Sequence, residues 1–225
     1  MKYREGDCTM NVTNQVLQQK EVLSPEWLHI HDGRTVSYGA QQLWYTDKRK
    51  RLSGCGPTAA SNLLWYLKAT RPELCSGFYD GDGTDQSGML RFMEEVWHDV
   101  TPGIFGMSRA SSFIKGVLSY AAKKDISLKA RLLKVPLLVR RRPGKKEALD
   151  FLRSAFTDNL PIAFLNLSNG GVRNLDSWHW VTLVSIREDM QAMIYDQGCK
   201  KMIDLGQWLA APGLGGAFVV LEPDK

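Results

Sequence analysis

Hydrophobic residues recur at intervals of three and four positions in four stretches of the chain, the spacing of one face of an α-helix. In the clearest stretch, Ala59, Ala60, Leu63, Leu64 and Leu67 share such a face. The pattern predicts helices over about residues 55–69, 87–98, 109–123 and 145–158.

The other apolar segments are short and rich in β-branched and aromatic residues, which is typical of strands. They predict strands at about residues 126–134, 161–167, 178–186, 190–195, 199–204 and 216–222, and a short extended piece within 36–45. Residues 1–35 are weakly periodic, with Val16, Leu17, Val22 and Leu23 as candidate packing positions. Because helices come first and strands last, we expect the α+β class, with N-terminal helices packed on a C-terminal antiparallel sheet. An N-terminal extension over 1–35 would precede a single domain over 36–225.

The composition is that of a globular protein. A chain of 225 residues can bury a sizeable core in one domain, and 44% hydrophobic residues argue against disorder. No apolar run approaches the roughly 20 residues that a membrane-spanning helix needs. The charged N-terminus is not followed by the apolar segment of a signal peptide. We therefore expect neither a membrane partner nor a secretory signal.

The four cysteines, Cys8, Cys55, Cys75 and Cys199, are scattered and include no Cys-x-x-Cys pair. A chain of this length does not need disulfides to stabilise its fold. We therefore expect free thiols and a cytoplasmic location.

The excess of positive charge is clustered in two segments, residues 48–51 and residues 140–146, where three arginines and two lysines flank Pro143 and Gly144. Short runs of this kind are usually solvated loop faces. For the first run the alternative is an acidic substrate, since it lies just before Cys55. Nucleic acid is not the expected partner, because no pattern of interleaved aromatic residues or helix-turn-helix motif accompanies the charge.

Cys55 stands at the start of the first predicted helix, in the segment Gly-Cys-Gly-Pro-Thr-Ala-Ala. Pro57 suits the first turn of a helix, where its missing N–H costs nothing. The dipole at a helix N-terminus favours a thiolate, which is the form that attacks carbonyl carbons. The alternative is a cysteine that serves as a small buried hydrophobic residue.

A predicted hairpin supplies a base and a carboxylate. His179 lies near the start of its first strand, and Asp196 follows its second strand after a short turn near residue 188. Because a short turn brings the far ends of two strands together, Asp196 should reach the His179 imidazole. Two tryptophans, Trp178 and Trp180, flank the histidine and are expected to shield an ion pair from water. If Asp196 pointed into solvent, Asp176 or Asn174 would be the alternative partner.

A cysteine in this helix start, then a histidine near the start of a strand, then an aspartate after the following strand, resembles the papain-like cysteine peptidase fold. The likeness is to the branch of bacteriocin-leader-processing peptidases, which use the order Cys, His, Asp. It covers roughly residues 36 to 222. It implies that Cys55 is a nucleophile, that His179 is its base, that Asp196 orients His179, and that no cofactor is required.

The same resemblance implies a glutamine upstream of the cysteine, whose amide donates to the oxyanion. Gln42 is the candidate and Gln41 the alternative, although the thirteen-residue gap to Cys55 is longer than the family usually has. The expected activity is hydrolysis of a peptide or amide bond. The alternatives are an acyltransferase or amidase on the same fold, or a binding protein without turnover.

Two weaker motifs involve metal ligands. Residues 80–85 superficially resemble a calcium loop, but position six is Asp85 where glycine is needed, and position twelve is Arg91 where glutamate is needed. His29 and His31 share one face of a short strand without a third ligand nearby. We therefore expect no metal site.

Overall fold

The computed structural model describes residues 18–103 and 106–224, which contain seven α-helices and nine strands. The helices are α1 (Lys48–Ser53), α2 (Cys55–Thr70), α3 (Pro72–Cys75), α4 (Gln86–Trp97), α5 (Ala110–Lys123), α6 (Lys145–Thr157) and α7 (Leu205–Ala210). The strands are β1 (Gln19–Glu21), β2 (His29–Asp32), β3 (Thr35–Tyr38), β4 (Leu128–Val135), β5 (Ile162–Asn166), β6 (His179–Arg187), β7 (Gln191–Asp196), β8 (Cys199–Asp204) and β9 (Gly216–Pro223). The expected α+β class is confirmed.

Seven of these strands form one antiparallel sheet in the order β4-β9-β5-β6-β7-β8. β1 pairs with the last residues of β6, beyond the part of β6 that pairs with β5. β2 and β3 form a separate hairpin, which reaches the main sheet through a bridge between Tyr38 and Gly198. β6 and β7, which carry His179 and Asp196, therefore lie in the interior of the sheet.

Helices cover both faces of this sheet. Phe113 of α5 stacks on Trp180 of β6, and α2 contacts the same face through a hydrogen bond between Asn62 and Thr182. Trp208 of α7 packs edge-on against Phe164, whose partner in β6 is Val181. Because neighbouring residues of a strand point to opposite faces, α2 and α5 lie on one face and α7 on the other. The main core lies between the helices and these central strands.

The four predicted helices appear as α2, α4, α5 and α6, and the six predicted strands as β4 to β9, with bounds that differ by a few residues. Three short helices, α1, α3 and α7, were not expected. Residues 48–53, expected as a loop, form α1, because the Asp47 carboxylate caps it by accepting from the Lys50 N–H (2.9 Å). Asp204 caps α7 in the same way through the Gln207 N–H (2.8 Å).

The described part of the segment expected to be an extension is integrated into the fold. Residues 19–21 add a strand to the sheet, and Val22 and Ile30 are buried in the main core. Leu23, expected to pack inside, is 76% exposed, so that expectation is wrong; Val16 and Leu17 lie outside the described residues. Nowhere in residues 18–103 or 106–224 does a helix combine the length and the apolar character needed to cross a membrane.

Candidate active site

Cys55 is the first residue of α2, a helix of 16 residues, and is buried, with 8% of the residue exposed. The first N–H groups of a helix have no intrahelical acceptor, so they and the helix dipole favour negative charge at this position. Gly54 lies between the end of α1 and the start of α2, where the chain has no room for a side chain. A Cβ there would overlap the Lys50 carbonyl oxygen and lie 2.8 Å from the Tyr45 ring. The thiol therefore sits at a helix start that only glycine permits.

His179 and Asp196 meet as the hairpin predicts, with Nε2 of His179 2.7 Å from Oδ1 of Asp196. Both side chains are buried. The alternative partners lie elsewhere: Asp176 is exposed, and Asn174 is exposed with its amide donating to the Met202 carbonyl. Because Nε2 faces the carboxylate, Nδ1 is the ring nitrogen that remains available to Cys55, which lines the same cavity.

A tight turn fixes the position of Asp196. β7 and β8 are joined by Gln197 and Gly198 alone, and both residues have positive φ angles (50° and 78°), as the twist of a two-residue hairpin requires. The returning strand brings Lys201 diagonally beside Asp196, and its Nζ donates to Oδ2 at 2.6 Å. Lys201 was not predicted; diagonal placement across a two-residue hairpin is the signal that identifies it.

These contacts determine the charge state of the pair. Burial alone lowers the pKa of His179, but the hydrogen bonds to Asp196 and Cys55 outweigh it and raise the pKa to about 10. Burial alone raises the pKa of Asp196, but the hydrogen bonds from His179 and Lys201 bring it below its ordinary value. At neutral pH the pair is therefore an imidazolium beside a carboxylate.

Gln42 lines the same small cavity as Cys55, His179 and Asp196. One N–H of its amide donates to the Arg51 carbonyl (2.9 Å), and an amide nitrogen carries two hydrogens, so a second donor remains. Gln41 is turned the other way, with its Nε2 donating to Ser37 Oγ (3.0 Å). Of the two candidate glutamines, the structure therefore brings Gln42 to the cysteine.

Asn62 holds the glutamine segment in place, and sequence reasoning missed it. It lies two helical turns after Cys55 on the same side of α2, and it also lines the cavity. Its Oδ1 accepts from the Ala40 N–H (2.8 Å), and its Nδ2 donates to Thr182 Oγ1 (2.9 Å). A polar residue seven positions after the cysteine, beside the apolar stripe of α2, is the signal that could have identified it.

The expectation that two tryptophans shield the histidine is half wrong. Trp180 is buried and stacks on Phe113, with its Nε1–H donating to the Met107 carbonyl. Trp178 is 59% exposed, and its φ of 58° turns the chain just before β6 begins. The space at the thiol itself is only about 20 Å³, enough for about one water molecule. Shielding comes from enclosure in this narrow cavity.

The weaker metal motifs have other contacts. His29 Nε2 lies 3.3 Å from the Tyr195 hydroxyl, and Asp85 caps α4 by accepting from the Gly88 N–H. Within residues 18–103 and 106–224, no group of three or more His, Cys, Asp or Glu side chains is placed to hold a metal ion. Cys55, Cys75 and Cys199 are free thiols, and Cys8 lies outside the described residues.

Cys55, His179 and Asp196 together supply a nucleophile, a proton carrier and a group that orients it, which are the requirements of nucleophilic acyl chemistry. Neither a comparison with protein-family models nor one with curated proteins gives a match.

Proposed function

We propose that this protein is a papain-like cysteine peptidase, similar to the bacteriocin-leader-processing branch, that hydrolyses a peptide or amide bond. One observation carries the proposal. Cys55 at the start of a long helix shares a buried site with His179, whose Nε2 is 2.7 Å from Asp196. A nucleophile, a base and a group that orients the base, placed next to one another, recur in enzymes that catalyse acyl transfer through a covalent intermediate.

In the first half-reaction, the Cys55 thiolate attacks the substrate carbonyl, and a carbon–sulfur bond forms. The Cys55 backbone N–H and the free N–H of Gln42 donate to the oxyanion that develops. His179, protonated at Nδ1, gives its proton to the leaving amine as the carbon–nitrogen bond breaks. Each lost oxyanion donor costs about 3–4 kcal/mol in comparable sites.

In the second half-reaction, neutral His179 takes a proton from water, and the hydroxide attacks the thioester. The carbon–sulfur bond breaks, the acid product leaves, and the proton on His179 restores the ion pair with the Cys55 thiolate. Asp196 holds Nε2 throughout, which keeps Nδ1 directed at the reaction. An amine in place of water would make the enzyme an acyltransferase, since the first half-reaction is identical.

The fold supports this proposal. The helix that carries Cys55 packs on an antiparallel sheet and contacts β6, the strand that carries His179. Helix and strand are separated by more than 100 residues, and the packing of α2 on the sheet brings them together. This is the arrangement of helix and sheet that the resemblance to papain-like peptidases implies.

The test is a mass-spectrometric search for cleavage of a diverse peptide library by the wild-type protein and by Cys55→Ala and His179→Ala. Cleavage by the wild type alone supports the proposal. Cys199→Ala, which removes an exposed thiol, is the matched control and should cleave normally. Adding a small amine to the reaction distinguishes acyl transfer, which would yield amide products. A protein that cuts no peptide, with a Cys55 no more reactive than Cys199, would contradict the proposal.

A further inference from the structure

A groove of about 880 Å³ lies beside the narrow cavity that holds Cys55. Its walls include Ser53, two residues before Cys55, and Trp178, the residue before His179. The cavity at the thiol has room only for the reacting group, whereas this neighbouring groove has room for side chains. We refer to the surface formed by Lys48, Arg49, Leu52 and Trp178 as the side groove.

The side groove exposes two large apolar side chains. Leu52 is 76% exposed and Trp178 is 59% exposed. Large apolar side chains grouped on one concave surface indicate a binding site more often than isolated ones do. Trp178 also has a φ of 58°, a left-handed conformation that is rare for a bulky residue. Strain of this kind at the edge of a reactive site is typical of a functional position.

The rim of the side groove is cationic. The four basic residues at 48–51 fall into two groups, those with partners in the fold and those without. Lys50 pairs with Glu94, and Arg51 donates to the backbone carbonyls of Tyr45 and Thr46. Lys48 and Arg49 are both exposed on the groove, and neither has an ion-pair partner in the part of the chain that the structure describes.

Asp47 also lines the groove, but its carboxylate is engaged as the cap of α1. Lys48 and Arg49 therefore face the groove without an ion-pair partner among the described residues, whereas the Asp47 carboxylate already accepts a hydrogen bond from the backbone of α1. A ligand that carries negative charge complements such a rim.

From these observations we infer that the side groove is the specificity subsite of the enzyme: it binds an extended peptide segment in which a large apolar residue is followed or preceded by an acidic one. The apolar side chain packs between Leu52 and Trp178, and the acidic side chain faces Lys48 and Arg49. This inference rests on the proposed function and names the substrate class of the same site.

The experiment compares two kinds of reagent that alkylate Cys55. Iodoacetamide is too small to occupy the side groove, whereas peptidyl chloromethyl ketones extend along it. The peptides carry leucine or alanine at the second, third or fourth residue from the reactive group, with glutamate or lysine beside it. The rate of Cys55 labelling is measured by intact-mass spectrometry, and each peptidyl rate is divided by the iodoacetamide rate of the same variant.

We expect the best leucine–glutamate probe to exceed the alanine–lysine probe by about tenfold or more, the usual scale of selectivity from a hydrophobic pocket. Leu52→Ala and Trp178→Gly should each lower the normalised rate of that probe by about fivefold to tenfold. Glycine suits the left-handed φ at residue 178, so this variant removes the ring without adding strain. Lys48→Glu combined with Arg49→Glu should reverse the preference for glutamate over lysine.

Matched controls lie on other surfaces. Leu23 is 76% exposed, like Leu52, but borders a separate hollow beside Asn159, so Leu23→Ala should leave the normalised rates unchanged. Arg140→Glu combined with Arg141→Glu makes the same charge change in another exposed run and should preserve the glutamate preference.

Two results would overturn the inference. If iodoacetamide labels Cys55 selectively but the side-groove variants leave the peptidyl rates unchanged, the subsite is wrong while the proposed function stands. If iodoacetamide labels Cys55 no faster than Cys199, the proposed function fails, and the subsite inference fails with it.

Discussion

Replacing Asp196 with asparagine removes the negative charge that faces His179 but keeps the size of the side chain and an oxygen that can accept from Nε2. Asp196 is 4% exposed in the wild type, and its two carboxylate oxygens accept hydrogen bonds from His179 (2.7 Å) and Lys201 (2.6 Å). The variant therefore removes the negative charge beside the imidazole and, because its amide nitrogen replaces Oδ2, also the acceptor of Lys201. We expect Asp196→Asn to destabilise the ion pair of His179 with the Cys55 thiolate.

The magnitude follows from the separation of the charges. Opposite unit charges about 4 Å apart attract by about 4 kcal/mol at an effective dielectric constant of 20. One pKa unit corresponds to about 1.36 kcal/mol, so the carboxylate accounts for up to about three units of the raised pKa of His179. The ammonium group of Lys201 cancels part of this field. We therefore expect alkylation of Cys55 by iodoacetamide at pH 6 to fall by about tenfold to a hundredfold.

The assay is the rate of Cys55 alkylation as a function of pH, with native circular dichroism required of each variant. Lys201→Met is the informative comparison, because it removes a cation and leaves the carboxylate in place. Its alkylation rate at pH 6 should not fall. A folded Asp196→Asn variant that reacts at the wild-type rate would refute the reasoning, and so would an equal loss in Lys201→Met.

The same pair gives folding stability a dependence on pH. Folding raises the pKa of His179 from 6.5 to about 10, so its contribution is complete below pH 6.5 and is lost as the pH rises towards 10. Folding lowers the pKa of Asp196, so its contribution is present above the ordinary carboxyl value and is lost in acid. Thermal melts at pH 6 and pH 9 should therefore show a larger loss of Tm for the wild type than for Asp196→Asn.

Three further predictions concern single residues. Cys55, although 8% exposed, should be alkylated faster at pH 6 than the exposed Cys199, because it has a helix N-terminus and an imidazolium beside it; equal rates by peptide mapping would contradict the ion pair. Gln42→Ala should lower peptide turnover by about a hundredfold while Cys55 alkylation stays nearly constant, because the amide acts on the oxyanion; an equal loss in both measurements would point to a structural role. Gly54→Ala should lower the free energy of unfolding by about 1–3 kcal/mol in urea titrations, because the added methyl overlaps backbone. Gly77→Ala, whose added methyl would meet its nearest neighbours at 3.7 and 3.8 Å, should have little effect, and similar losses in the two glycine variants would argue against that packing.

The pattern of apolar and polar residues was sufficient to predict those features that depend on residues close together in the chain. The apolar periodicity and Pro57 place Cys55 at the start of a helix, and the structure has that helix over Cys55–Thr70. The meeting of His179 and Asp196 is also a local consequence, because a short turn between two strands brings their far ends together.

Tertiary structure decided the rest. The sequence favoured Gln42 but left Gln41 open as the alternative, since adjacent residues differ only in the direction they face. Gln42 faces the cysteine because the segment is anchored by Asn62, a residue 22 positions after Ala40, to which it bonds. Likewise, the four basic residues at 48–51 look alike in the sequence. Lys50 becomes an ion-pair partner only because α1 forms and brings it to Glu94, 44 residues away. Contacts over such separations depend on how elements pack against one another, and a local pattern of polar and apolar residues carries no information about that packing.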